Sequence, residues 1–116
     1  MNNRIKLHEK LKKLIGSSNV YFQPPASVQL SYPCVIYSIG EGDARHADGM
    51  VYSYVNSYEI LFIFKKPNVG IIEQVLSTLP MCKMTRAYVA DNLNHYACRV
   101  YYVNNEDMHN GKRSLG

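Results

Sequence analysis

The longest apolar run in the chain lies at residues 58–64, which read YEILFIF and are followed by two lysines and a proline. Its β-branched and aromatic side chains favour a strand. From Ile60 onward both alternating sets of side chains are apolar, whereas a strand with one wet face would alternate. We therefore predict a central strand that is covered on both faces.

Other stretches have strand character and are bounded by turn residues. Residues 20–22 end at two prolines, which favours a short edge strand. Residues 34–39 lie between Pro33 and Gly40 and should pair beside the central strand. Residues 50–56 continue the central strand on its N-terminal side. Residues 82–89 and 96–103 complete the predicted sheet, with a turn region at residues 90–95 between them.

Two amphipathic helices are predicted to cover the sheet. Apolar residues recur at helical spacing over residues 3–16, and Gly16 is placed as a C-terminal stop. A second apolar stripe runs from Val69 to Leu79, with Asn68 as its expected cap and Pro80 as its end. The pattern predicts an α+β domain over residues 1–103, with about four to five mainly antiparallel strands. Residues 104–116 are almost free of apolar residues, so we expect a flexible tail.

Residues 40–49 form the longest connection and contain three glycines without apolar periodicity. We predict a long β-hairpin loop that is disordered in the free subunit, because glycine removes backbone restraint and charged side chains favour solvent. Loops of this length in small domains are often functional. The residues expected to make contacts between subunits are Glu41, Asp43, Arg45 and Asp48.

Composition narrows the class of protein without defining a reaction. A chain of 116 residues fits one domain, and no apolar run approaches the ~20 residues that a membrane span requires. The N-terminus opens directly into a charged helical pattern, which favours cytoplasmic synthesis. We expect no membrane partner.

The net charge of +4 is concentrated near the N-terminus. Residues 1–13 hold five basic groups and one acidic group, whereas residues 14–103 hold six of each and residues 104–116 two of each. The excess therefore predicts one basic helix face. Such a face is more often solvated than bound to phosphates. Its members are Arg4, Lys6, Lys10, Lys12 and Lys13.

No group of residues carries a recognisable catalytic signature. Asp91, Asn94 and His95 could be drawn as an acid, a base and an orienting group, but such residues are common in tight strand connections. The three cysteines have no close spacing, so buried thiols are favoured over a metal site. We expect no enzyme activity and no cofactor.

The ten tyrosines lie mainly in predicted strands. Tyrosine beside Arg and Lys can stack on the bases of single-stranded nucleic acid. Tyrosine is also enriched at protein interfaces. The predicted sheet has no net positive charge, so the protein interface is favoured.

Four stretches resemble a known family. They are NVYFQPPAS at residues 19–27, YPCVIY at 32–37, LPMC at 79–82 and ADNLNH at 90–95. Together they resemble the tail terminator or tail completion proteins of long-tailed bacteriophages, over about residues 7–103. The order of predicted elements is also similar to the lambda-type tail terminator fold.

This resemblance implies a structural virion protein that assembles as a homo-oligomer, a hexameric ring, in the host cytoplasm. The ring would end the tail tube and dock it to the connector proteins of the neck, with DNA at most passing through it. One alternative is a head-completion or connector ring protein. An alternative of another class is a small nucleic-acid-binding protein that uses the basic first helix.

Overall fold

Two helices and six strands form the parts of the chain described by the computed structural model, which are residues 3–40, 43–47, 50–79 and 81–103. The elements in chain order are α1 (Asn3–Ile15), β1 (Val20–Phe22), β2 (Cys34–Ile39), β3 (Asp43–Ala47), β4 (Met50–Phe64), α2 (Gly70–Thr78), β5 (Cys82–Ala90) and β6 (Leu93–Val103).

Five strands form one sheet in the order β1-β2-β4-β6-β5. β1 runs parallel to β2, and the other neighbours are antiparallel. β3 pairs with β4 outside this order. The predicted α+β class is confirmed, as are the edge position of β1 and the pairing of residues 34–39 with the central strand.

The core lies between the two helices and one face of the sheet. Phe62 at its centre is fully buried, and Leu7 and Leu11 of α1 and Val75 of α2 belong to the same cluster. Full burial of one such aliphatic side chain is worth about 2 kcal/mol. The second face of β4 is covered only in part, since Ile63 is buried whereas Leu61 is half-buried.

The predicted end of α1 is confirmed, whereas the predicted cap of α2 is wrong. Gly16 adopts a φ of 65°, and the Ser17 amide donates to the Lys12 carbonyl at 3.2 Å, so α1 ends at the predicted glycine. At α2 the N-cap is Val69, without a side-chain capping bond. The prediction that Asn68 caps this helix is therefore wrong. The backbone amide of Asn68 donates to the Tyr96 hydroxyl at 3.0 Å.

The turn between the last two strands is tighter than the sequence predicted. Ala90 pairs directly with Leu93, which leaves Asp91 and Asn92 as a two-residue turn. Both turn residues have positive φ, 52° and 61°, a conformation that Asp and Asn tolerate well. Residues 93–95 therefore belong to β6 and not to a loop.

The predicted disordered loop contains a strand. Asp43–Ala47 forms β3, which pairs with Met50–Val55, so the prediction of a wholly disordered segment is wrong. β3 continues the line of β2 along β4, because Ile39 pairs with Tyr58 and Gly40 donates to the Ser57 carbonyl at 2.8 Å. Backbone hydrogen bonding requires no apolar side chains, and a partner strand rich in valine and tyrosine extends the ladder past the charged residues.

β3 and residues 50–54 of β4 form a two-stranded ribbon, which we call the arm. β6 begins to pair with β4 at Val55, so the arm extends beyond the five-stranded sheet. Five residues per strand correspond to about 17 Å. Asp48 and Gly49, between the two arm strands in sequence, lie outside the described residues.

Candidate assembly surface

The sheet face opposite the helices is the first candidate surface, and we call it the open face. Side chains alternate along each strand, so residues between the core positions point to this side. Its central strands present Glu59 and Leu61 from β4 and Ala97 and Arg99 from β6. The other members with described side chains are Tyr21, Ile36, Ser38, His95, Tyr101, Lys83, Arg86 and Tyr88, whereas Cys34, Ser57 and Ile63 on the same side of the sheet are buried.

A shallow depression lies in the middle of the open face. It encloses about 250 Å³ and is lined by apolar and polar side chains together. Its apolar floor includes Ile36, Leu61 and Ala97, which are paired positions on three neighbouring strands. The remaining lining residues are Ser38, Glu59, Ile60, Thr85 and Cys98.

An ion pair borders this depression. Arg99 and Glu59 occupy paired positions, and their side chains approach to 3.1 Å. Hydrogen bonds with Tyr101 and then with Glu59 raise the pKa of Arg99, so it stays charged. The Arg99 Nε atom is buried without a hydrogen-bond partner among the described residues.

Three side chains form a stack at the β5 side of the open face. The guanidinium carbon of Arg86 lies 4.4 Å from the centre of the Tyr88 ring. The His95 ring lies 4.6 Å from the Tyr88 ring, with the two planes 8° apart. His95 Nδ1 donates to the Leu93 carbonyl at 3.0 Å, since a carbonyl only accepts, and this bond fixes the ring. The stack is a rigid aromatic and cationic surface of the kind enriched at protein interfaces.

Two strand edges are the second candidate surface. Within the described chain, β5 pairs only with β6 and β3 pairs only with β4. An unpaired edge presents amides and carbonyls that can bind another strand. The opposite edge of the sheet is formed by β1, which is only three residues long.

The three residues that the sequence offered as a catalytic group lie near the stack and the β5 edge. The structure gives Asp91, Asn94 and His95 separate local contacts. Asp91 is an exposed turn residue, the Asn94 amide donates to the Lys65 carbonyl at 3.5 Å, and His95 is stacked on Tyr88. These contacts stabilise the end of the sheet, and no hydrogen bond joins the three described side chains to one another.

The five basic residues of the first helix lie in three different environments. Lys6, Lys10 and Lys13 are exposed at a spacing that places them on one outer face. Lys12 lies 3.7 Å from Glu9 in an i,i+3 ion pair. Arg4 does not share the outer face, since it is half-buried with its guanidinium carbon 4.7 Å from the centre of the Phe22 ring.

Arg4 instead joins a polar contact beneath α1. The Tyr37 hydroxyl lies 2.7 Å from His8 Nδ1 and 3.5 Å from the Arg4 guanidinium. Burial raises the pKa of Tyr37, so its hydroxyl keeps its proton, and burial lowers the pKa of His8, so the ring is neutral. In the tautomer protonated at Nε2, His8 Nδ1 accepts from the Tyr37 hydroxyl. The three side chains attach the helix to β2.

The predicted contact residues of the loop fall on the arm and its ends. Asp43 and Arg45 belong to β3, where they pair in register with Val55 and Ser53. Glu41 and Asp48 lie outside the described residues. Their role in contacts between subunits stays a prediction.

Tyrosines occupy both faces of the sheet. Tyr37 and Tyr96 are buried on the helix side. Tyr21, Tyr88 and Tyr101 are half-buried on the open face. Among the tyrosines with described side chains, the sheet thus divides them between its core and its open face, since aromatic residues serve a sheet core and an interface equally well.

Sequence reasoning missed the arm and the Arg86 stack. The Asp-Gly pair at residues 48–49, flanked by residues able to form strands, was an available hairpin signal. Arg86 and Tyr88 are two apart in a strand, which places them on one face, but only the turn at residues 91–92 brings His95 beside them.

The three cysteines are free thiols whose pKa values shift in different directions. Burial raises the pKa of Cys34 to about 11. A side-chain hydrogen bond between Cys82 and Cys98, followed by burial, raises the pKa of Cys98, and the same hydrogen bond lowers the pKa of Cys82. Across the described ranges, no cluster of three or more His, Cys, Asp or Glu side chains is arranged to hold a metal ion. No helix in the described part of the chain is long and apolar enough to cross a membrane.

Comparison with protein-family models and with curated proteins finds no match to this chain.

Proposed function

We propose that this chain is a structural virion protein, a tail terminator whose subunits form a ring that ends the tail tube and docks it to the neck. The observation that carries the proposal is the arm. A two-stranded ribbon is marginally stable in water. Its extension beyond the sheet fits a device whose contacts form on assembly.

The open face adds a second reason. It combines an apolar floor with a fixed ion pair and a stacked Arg86–Tyr88 pair. Interfaces are enriched in Tyr and Arg around apolar centres. A ring subunit needs two different contact surfaces, because head-to-tail contacts join unlike patches. The arm and the free edge of β5 provide two unlike patches on one subunit, and the open face is a further surface for the tube or the neck.

The resemblance in sequence provides the link to phage tails. The stretches that carry it contain β1, most of β2, the connection from α2 to β5, and the turn from β5 into β6. They are parts of the scaffold, so they support kinship in fold more than a particular role. A head-completion or connector ring protein uses the same kind of scaffold and remains the alternative within the virion.

The nucleic-acid alternative is supported by Lys6, Lys10 and Lys13 on the outer face of α1. Three exposed lysines are a small phosphate-binding surface, and each phosphate contact strengthens binding only modestly at physiological salt. Arg4 contacts Phe22 and Tyr37 and Lys12 contacts Glu9, so the predicted basic face is reduced.

The location of the protein in phage particles tests the proposal. Heads lacking tails and tails lacking heads would be purified from assembly mutants and probed with an antibody to this chain. We expect the protein on free tails and not on free heads. Its presence only on heads would contradict the terminator role in favour of the connector role, and its absence from both would favour the nucleic-acid alternative.

A further inference from the structure

We propose that the arm of one subunit adds to the β5 edge of the next, with the outer edge of β3 pairing with residues 86–90 of β5. This inference rests on the proposed ring function and specifies which surfaces meet. Strand addition of this kind gains affinity from main-chain hydrogen bonds, and side chains determine its specificity.

The free part of the β5 edge has the length of β3. β5 is irregular between Met84 and Arg86, and such bulges bend a strand away from further pairing. From Arg86 to Ala90 its register with β6 is regular, which leaves five residues with a straight outer edge. β3 is also five residues long, and the irregularity in its pairing, between Arg45 and His46, comes from the extra residue Tyr52 on the β4 side.

The exposure of this edge fits a strand that is covered on assembly. Arg86, Ala87 and Ala90 are exposed, and Val89 retains 67% of its surface in solvent. Valine is favoured in paired strands and gains little at an open edge. A sixth strand added at this edge would lie beside Val89.

Charge favours the pairing of unlike edges. β5 contains Lys83 and Arg86 and no acidic residue, so its formal charge is +2. β3 contains Asp43 and Arg45, so the strand that would pair has no formal net charge. Two copies of β5 facing each other would bring like charges together, whereas β3 adds no excess of positive charge.

Such a contact joins unlike surfaces. Each subunit would donate an arm on one side and accept one at β5 on the other, which closes into a ring when the rotation between neighbours divides a full turn. The sheet would continue from subunit to subunit. The open face would then be free for the tail tube or the neck.

Cysteine crosslinking in assembled tails tests the inference. One variant carries Ala44→Cys in β3 together with Val89→Cys in β5, and the two single variants and the unchanged chain are controls for the native cysteines. Tails are treated with a short bis-maleimide crosslinker. We expect the double variant to yield roughly tenfold more covalent dimers and higher multimers than any control, because paired edges hold the thiols at a high effective concentration.

Four results would overturn the inference. Crosslinking of Ala44→Cys with Ser38→Cys in place of Val89→Cys would put the arm on the neighbour's open face. Crosslinking of Val89→Cys alone would show that two β5 edges meet. Absence of both crosslinks, with the protein present on tails, would reject strand addition while the terminator function stands. Absence of the protein from tails would reject both.

Discussion

His8 and Tyr37 show how one polar contact fixes the position of a whole helix. Leu7 and Leu11 bury the apolar side of α1 in the core. Hydrophobic burial is not directional, so by itself it does not fix the helix at one position on the sheet. The 2.7 Å contact between His8 Nδ1 and the Tyr37 hydroxyl gives the helix a defined position along β2. Tyr37 also packs against the Phe22 ring, with the ring centres 5.0 Å apart, so this contact involves both strands at that edge.

Acid should weaken this contact. Burial is the main cause of the lowered pKa of His8; Lys12 and Arg4 lower it further, and Glu9 opposes them. The folded pKa lies below the unfolded value of about 6.5, so the stabilisation is fully present above about pH 6.5. It is lost as the pH falls through the folded pKa, because protonated Nδ1 cannot accept from Tyr37. The loss should be roughly 1 kcal/mol, the usual value of one hydrogen bond.

Urea unfolding at neutral and at mildly acidic pH measures this effect in the wild type and in His8→Gln. The glutamine amide accepts a hydrogen bond and does not titrate in this range. We expect the free energy of unfolding to fall more steeply with acid in the wild type. Equal pH dependence in the two proteins would show that His8 does not carry the effect.

Among the elements, the arm differs most from the compact sheet. Within the described chain its strands pair with each other and not with β6. The pairing of Ile39 with Tyr58 and of Val55 with Val103 is complete without it. The arm is thus an appendage of the sheet in terms of backbone pairing.

Removing the arm should separate folding from assembly. Deletion of residues 43–54 leaves all pairings of the five-stranded sheet, so we expect the free energy of unfolding to change by about 1 kcal/mol or less, within the range of loop changes. We expect few tailed, infectious particles when this variant replaces the wild type in a complementation assay.

Glu73→Gln, an exposed change on α2, is the matched control and should leave particle yield unchanged. Normal particle yield from a stably folded deletion variant would show that the arm has no role in assembly. Loss of folding itself would show that the arm belongs to the domain in a way that backbone pairing does not reveal.

The elements also show what the sequence can predict. Periodicity defined α1, β1, β2 and the central strand to within a residue or two, because each buries one apolar face. It failed at β3, where backbone pairing with a neighbour decides the structure and side chains give no local signal. It also failed at residues 93–95, because the tight turn at Asp91 and Asn92 depends on backbone conformations that many sequences can adopt.

The candidate site was predicted less completely than the fold. The contact segment was placed at residues 41–48, which includes β3, but as a disordered loop. The open face was expected as a tyrosine surface. In the structure one of its tyrosines, Tyr88, is stacked between Arg86 and His95, a contact that the sequence did not predict. Such sites depend on residues that are distant in sequence and meet only across paired strands.

At the scale of the whole molecule, the two helices cover one face of the sheet and leave the other face, one long edge and the arm available. Open edges and exposed surfaces of this kind favour association with other chains. Subunits that join unlike surfaces form closed rings when the rotation between neighbours divides a full turn and open filaments otherwise, whereas subunits that join like surfaces form two-fold dimers. The ring that we propose uses contacts between unlike surfaces.

The symmetry of the protein at the end of the assembled tail tests this account most directly. Electron cryomicroscopy of tails, averaged around the tube axis without imposed symmetry, would show how its copies are arranged. We expect a single closed ring at the head-proximal end, with six subunits related by rotation and an arm reaching from each to its neighbour. Pairs of subunits related by two-fold axes, or copies distributed along the tube, would contradict the account.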